Sequence, residues 1–191
     1  MIGVLVSGEG TNLQALLDEG LPVFAVASNR PGVPALSRAE RAGVPAAVFE
    51  LEEYATREAR DLAMAAWLAA RGVEVVVCAG YMHLLTPPFL ARFPALNVHP
   101  SLLPAFPGAH AVEDALDAGV PETGVTVHFL DEGVDTGPIV VQERVPVRPS
   151  DTRETLAERI HAVEHRLLPD AARRWLEQRS RLPAHRDAVE R

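Results

Sequence analysis

The apolar residues of this chain change period repeatedly, from runs of strand length to stretches with helical spacing, and that alternation restricts the fold more than any other feature. Residues 2–6 form an apolar run ending in Ser7-Gly8-Glu9-Gly10, and an amphipathic stretch over 12–19 follows. Residues 22–27 and 46–49 read as further strands around a helix over 33–42 closed by Gly43. A long helix is expected over 52–71, stopped by Gly72. Residues 73–79 then form a strand apolar on both faces, as at the centre of a parallel sheet. A short helix begins near Thr86 with Pro87-Pro88 in its first turn, and 95–98 is a fifth strand. Residues 109–118 are helical, and 124–130 and 139–147 are strands. The stretch 151–177 reads as one long helix, with Asp151 as its cap and Glu154 three residues on. Strands alternating with helices predict an α/β fold, a doubly wound and mostly parallel open sheet. The connection between the last two strands is too short for a crossover helix, which predicts a late antiparallel pair at one end of the sheet.

At 191 residues the chain suits one domain, expected over 1–178, with a polar tail over 179–191. A formal net charge of −8 argues against broad binding to nucleic acid or to an acidic membrane. The longest apolar stretch, residues 75–82, is far short of the ~20 residues a membrane span needs. Met1 leads directly into the first strand with no basic segment before it, which predicts no signal peptide and a cytoplasmic location. The single cysteine, Cys78, excludes an intramolecular disulfide, and its apolar strand reads as packing rather than nucleophilic chemistry. All 18 basic residues are arginine, so neither a Schiff-base lysine nor the lysine of a Walker-type loop is available. Monomer and homodimer fit the pattern equally well.

Three connections carry residue types suited to chemistry. Ser7-Gly8-Glu9-Gly10-Thr11-Asn12 lies between the first strand and the first helix, where glycines allow a sharp turn and helix-start amides face an anion such as phosphate. Leu13 stands where a dinucleotide fingerprint needs its third glycine, so the stretch also reads as a plain turn. Asn97-Val98-His99-Pro100 ends the fifth strand, at the edge where open α/β sheets bind ligands. Alternation puts Asn97 and His99 on one side, so an amide donor and an imidazole can reach one substrate atom; a strand-end hydrogen-bonding pair is the alternative. Asp131-Glu132-Gly133-Val134-Asp135-Thr136-Gly137-Pro138 is a solvated hairpin, a calcium-like acidic loop, or the source of a carboxylate that keeps His99 charged. His161-Ala162-Val163-Glu164-His165 fits an inverted zinc-protease motif, but such a site needs another ligand and helical spacing alone pairs histidines this way, so no metal is expected. His128, inside a strand, and His185, in the tail, read as structural or solvated.

Taken together, these stretches resemble the glycinamide ribonucleotide formyltransferases, folate-dependent enzymes of purine biosynthesis with a Rossmann-like fold. The resemblance runs from residue 2 to about 175 and rests on five fragments in order. They are Ser7-Gly8-Glu9-Gly10-Thr11-Asn12-Leu13-Gln14-Ala15, Ala79-Gly80-Tyr81-Met82, the stretch from Asn97 through His99-Pro100-Ser101 to Gly108, Gly124-Val125-Thr126-Val127-His128-Phe129, and Val134-Asp135-Thr136-Gly137-Pro138. The resemblance implies transfer of a formyl group from the co-substrate 10-formyltetrahydrofolate to the primary amine of glycinamide ribonucleotide. It implies that Gly10, Thr11 and Asn12, in the N-terminal half, hold the substrate phosphate and that Glu164 contacts the ribonucleotide. Asn97 and His99 then face the formyl carbon as catalytic residues, and Asp135 pairs with His99. Arg57, Met82, His83, Leu84, Leu85, Asn97, Asp131 and Val134 would line the folate pocket. Relatives carry arginine where His83 stands, so a guanidinium contact is lost there while a backbone contact survives.

Three other readings share parts of this pattern. A 10-formyltetrahydrofolate hydrolase would use the same Asn/His/Asp set to deliver water, with an added N-terminal regulatory domain. A methionyl-tRNA formyltransferase would need a further C-terminal domain and a basic surface. A nucleotide-binding module without catalysis predicts that Asn97, His99 and Asp135 do not converge.

Overall fold

The structure, a computed structural model, describes residues 1–181; residues 182–191, with His185 and most of the expected tail, lie outside the described residues. Seven strands form one sheet: β1 (Ile2–Val6), β2 (Val23–Ser28), β3 (Ala46–Val48), β4 (Val75–Cys78), β5 (Ala95–His99), β6 (Glu122–Phe129) and β7 (Ile139–Pro146), in the order β3-β2-β1-β4-β5-β6-β7. The first five strands pair in parallel, and β5·β6 and β6·β7 are antiparallel, so the late pair is where the short connection puts it. Helices α1 (Thr11–Asp18), α2 (Pro34–Arg41), α3 (Arg57–Ala69), α4 (Pro87–Arg92), α5 (Ala111–Asp117) and α6 (Arg153–Arg181) flank it. Among the described residues no helix is long and apolar enough to cross a membrane.

Every residue of β1 and β4 is buried, which is why both read as apolar on two faces. One face packs Val4 and Val77 with Leu13 and Leu16 of α1 and with Ile160 and Leu168 of α6. The other packs Leu5 and Val76 with Met64 and Leu68 of α3 and Phe89 of α4. Full burial of each such side chain contributes roughly 1.5–3 kcal/mol, so two complete apolar layers hold the sheet.

The starts of α3 and α6 differ from the sequence expectation, each for a local reason. The helix expected from residue 52 begins at Arg57, because the Thr56 side chain accepts the Ala59 N–H at 3.0 Å and so caps it; Leu51–Glu53 is a separate 3₁₀ turn. The last helix begins at Arg153, with Thr152 Oγ1 accepting from the Thr155 amide. Asp151 is therefore not the cap. Its carboxylate takes two hydrogen bonds from Arg159 and one from the Arg148 amide, and those donors, Arg159 first, hold it well below the usual carboxylate range.

The sheet order reverses between β1 and β4, so the crevice of an open α/β sheet lies there, at the carboxyl ends of the parallel strands. The loops after β1, β4 and β5 all emerge at that edge. Past the end of β6 the pairing continues by one rung on each side, with Leu130 N–H donating to Ala95 O and Phe129 N–H to Pro138 O.

Candidate active site

A cavity of about 310 Å³ opens at this edge, lined by the ends of β4 and β5 and by the loop after β6. Tyr81, Met82, His83, Leu84 and Leu85 form one wall; Asn97, His99 and Gly108 form the floor; Asp131, Val134 and Asp135 close the other side. The volume is at the lower end of the range typical of small-molecule sites. Ser7, at the end of β1, accepts the Met82 N–H at 2.8 Å, which ties the glycine turn to the cavity wall.

His99 sits at the floor with an acceptor at each nitrogen. Nδ1 lies 3.4 Å from Asp135 Oδ2, and Nε2 lies 2.8 Å from the Phe106 carbonyl. That arrangement suits a ring that carries both hydrogens. Among the described residues, Phe106 and Asp135 are the two non-glycine residues with left-handed backbone, at φ 53° and 54°. Such conformations persist where surrounding contacts enforce them. Here the Gly108 N–H, donating to Asp135 Oδ2 at 2.8 Å, stitches the two loops together. Burial alone would raise the Asp135 carboxyl, but the hydrogen bonds it accepts, that of the Gly108 N–H among them, and the positive charge beside it outweigh that and hold it below its ordinary value. Since unperturbed Asp titrates near pH 4, Asp135 is a carboxylate across the whole neutral range.

Asn97 is joined to a residue that the sequence reading assigned no chemistry. His128, 0% exposed, stands directly opposite Asn97 in the β5·β6 register. Its Nε2 is 3.1 Å from Asn97 Nδ2 and 3.5 Å from Asp135 Oδ1. A histidine directly after Val125-Thr126-Val127 in a buried strand is the sequence signal for this role.

At the glycine turn, Gly10 caps α1 with φ +71°. The α1 amides at Thr11, Asn12 and Leu13 have no partner within their own helix, as at any helix start. Asn12 Nδ2 donates to Glu164 Oε2 at 2.8 Å, joining residues 152 positions apart, while Asn12 Oδ1 is buried without a hydrogen-bond partner. Gly10, Thr11, Asn12 and Glu164 thus adjoin one another, and Thr11 and His165 border a second cleft between α1 and α6. Among the described residues no group of three or more His, Cys, Asp and Glu could hold a metal ion. The Gly10 conformation has a measurable consequence. A Cβ there would lie 2.6 Å from Ala35 Cβ, so Gly10→Ala combines left-handed strain with overpacking. It is expected to destabilise the fold by about 2 kcal/mol or more, read by thermal unfolding.

Arg57 lies outside the cavity lining, at the start of α3. His83 does line it, and its state is set from behind. Arg60 Nη1 is 2.6 Å from His83 Nδ1. A guanidinium only donates, so Nδ1 accepts and the ring is neutral with its hydrogen on Nε2. Burial, then the charges of Arg60, Arg57 and Arg30, push its pKa down accordingly. The same wall carries Cys78, whose burial pushes its thiol up to about 12. At pH 8 that leaves roughly one thiolate in 10,000, so native protein should resist iodoacetamide while unfolded protein takes one equivalent. Rapid native labelling would contradict the packed role.

Fold and site together define an α/β domain whose switch-point cavity brings Asn97, His99 and Asp135 together, with the start of α1 beside it. The chain belongs to the phosphoribosylglycinamide formyltransferase family. The sequence pattern of the formyl transferase domain matches residues 1–172. Phosphoribosylglycinamide formyltransferase of Mycobacterium tuberculosis is 47% identical over 171 residues, covering 86% of this chain and 80% of that protein. The crystal structure of glycinamide ribonucleotide transformylase 1 from Symbiobacterium toebii superposes with a TM-score of 0.91 at 50% identity, covering 93% of this chain and 88% of the other. Trifunctional purine biosynthetic protein adenosine-3 of Chironomus tentans is 47% identical over 182 residues, 90% of this chain but 13% of that protein. The chain spans 13% to 18% of the length of the trifunctional relatives it matches.

Proposed function

We infer that this chain transfers the formyl group of 10-formyltetrahydrofolate to the primary amine of glycinamide ribonucleotide. The observation that carries this reading is the convergence of Asn97, His99 and Asp135 on one cavity that is tied, through Ser7 and Met82, to the glycine turn. Gly10, Thr11 and Asn12 would take the phosphate on the α1 amides, and Glu164 with the unpartnered Asn12 Oδ1 would meet the sugar. Met82, His83, Leu84, Leu85, Asn97, Asp131 and Val134 would take the folate. Exposed Met82, Leu84 and Val134 offer apolar surface to its ring system. Arg57 would contribute by charge from outside the lining.

The residues then act as follows. The amine adds to the formyl carbon and negative charge gathers on the formyl oxygen. Asn97 and the His99 ring donate to that oxygen, with its position replacing Phe106 O on Nε2. Asp135 faces Nδ1 and so fixes the orientation of the ring. The amine's proton passes to the departing folate nitrogen by way of His99 or water. No side-chain nucleophile takes part, in keeping with the raised Cys78 thiol.

The test compares three acceptors: the ribonucleotide, its dephosphorylated riboside, and water alone. Folate deformylation should require the amine and should weaken sharply with the riboside, because the helix-start amides lose their anion. Equal turnover with water alone would favour the hydrolase, and turnover indifferent to the phosphate would refute the role of Gly10, Thr11 and Asn12.

A further inference from the structure

We propose that His128 is a positioning residue that fixes the orientation of the Asn97 amide; this rests on the reading of Asn97 as a donor to the formyl oxygen. Antiparallel pairing places the two side chains on the same face of the sheet. The β6·β7 ladder carries a bulge between Val127 and His128, and bulges re-aim the side chains beside them. His128 does not line the cavity, so whatever it does there it does through another residue.

The hydrogen-bond chain leaves one consistent assignment for the uncharged ring. His128 Nδ1 is 2.9 Å from the Phe129 carbonyl, which only accepts, so Nδ1 carries the hydrogen. Nε2 then presents its lone pair, and Asn97 Nδ2 donates into it across 3.1 Å. A primary amide has two N–H groups, so one is anchored and the second stays available to a ligand in the cavity that Asn97 lines. Turning the amide over would set Oδ1 against the Nε2 lone pair. The groups facing the ring decide the alternative state as well. A hydrogen on Nε2 would point to Asp135 Oδ1, 3.5 Å away on the carboxylate whose other oxygen faces His99, and would leave the Asn97 contact as donor against donor. The neutral ring with hydrogen on Nδ1 is therefore the state that anchors Asn97.

The experiment is a double-mutant cycle on formyl transfer with both natural substrates. His128→Ala should lower kcat by about 10- to 100-fold, the scale of a misplaced catalytic group, with both KM values within about twofold of wild type. In an Asn97→Ala background the same change should cost nothing further, since coupled residues fail to add. His128→Gln, which can still accept the amide hydrogen, should recover part of the loss. An equal loss from His128→Ala with and without Asn97 would overturn the proposal. If Asn97→Ala alone leaves kcat unchanged, the reading of Asn97 as a donor fails first. A measurement without any variant guards against misfolding: ¹⁵N shifts of the wild-type ring should show Nε2 unprotonated and Nδ1 protonated. The opposite pattern would also overturn it.

Discussion

Replacing His99 by alanine is expected to lower formyl-transfer turnover by about 100- to 10,000-fold, the range for loss of a proton-transferring side chain. The loss should fall on kcat, because His99 acts where charge develops on the formyl oxygen rather than where either substrate is gripped. Nδ1 and Nε2 both face acceptors, Asp135 Oδ2 at 3.4 Å and Phe106 O at 2.8 Å. Alanine leaves the carboxylate still held by the Gly108 amide, so the two loops should remain joined. Steady-state kinetics alongside near-ultraviolet circular dichroism separates the two effects. A native spectrum with turnover within tenfold of wild type would remove His99 from the chemistry.

The largest effect on stability is expected from Arg60→Ala, at about 3–5 kcal/mol, the scale for removing one partner of a buried ion pair. Arg60 and Asp61 are both 0% exposed. Nε and Nη2 of Arg60 both donate to Asp61 Oδ1, at 2.8 and 2.6 Å, and the Thr86 N–H donates to Oδ2 at 2.8 Å. Without the guanidinium, that carboxylate stays buried with only the amide, and His83 loses the donor on its Nδ1. Denaturant unfolding should show the loss. The double change Arg60→Leu with Asp61→Leu should recover much of it, because an apolar pair leaves no charge unpaired. A loss below about 1 kcal/mol, typical of an exposed pair, would mean that water reaches the site.

How legible the molecule is from its residues depends on the range of the interaction. Sheet layers follow from local periodicity: β1 and β4 are apolar on both faces because both faces are covered. The shared side of Asn97 and His99 follows from strand alternation, and the glycine turn from its place between strand and helix. Asp135 is different. It reaches His99 only because the connection after β6 returns along the sheet, where the Gly108 N–H donates to its carboxylate, and no local pattern encodes that path. His128 meets Asn97 through strand register, which depends on β6 pairing with β5 rather than with β7 alone. Arg60 and Asp61 are two charges inside an amphipathic helix, where sequence suggests a solvated face. Their burial depends on α4 and on His83 closing over them. Thr56 and Thr152 show the opposite limit, since their caps are local but shift the helix starts from the periodic expectation.

The central claim is that this site moves a formyl group onto an amine rather than into water. The direct measurement follows the carbon itself. With ¹³C-labelled formyl on the folate and glycinamide ribonucleotide present, carbon NMR should show the label appearing in an amide, matched one for one by deformylated folate. No label should appear as formate, and none should move when the amine is withheld. Label accumulating as formate, with or without the ribonucleotide, would contradict the assignment.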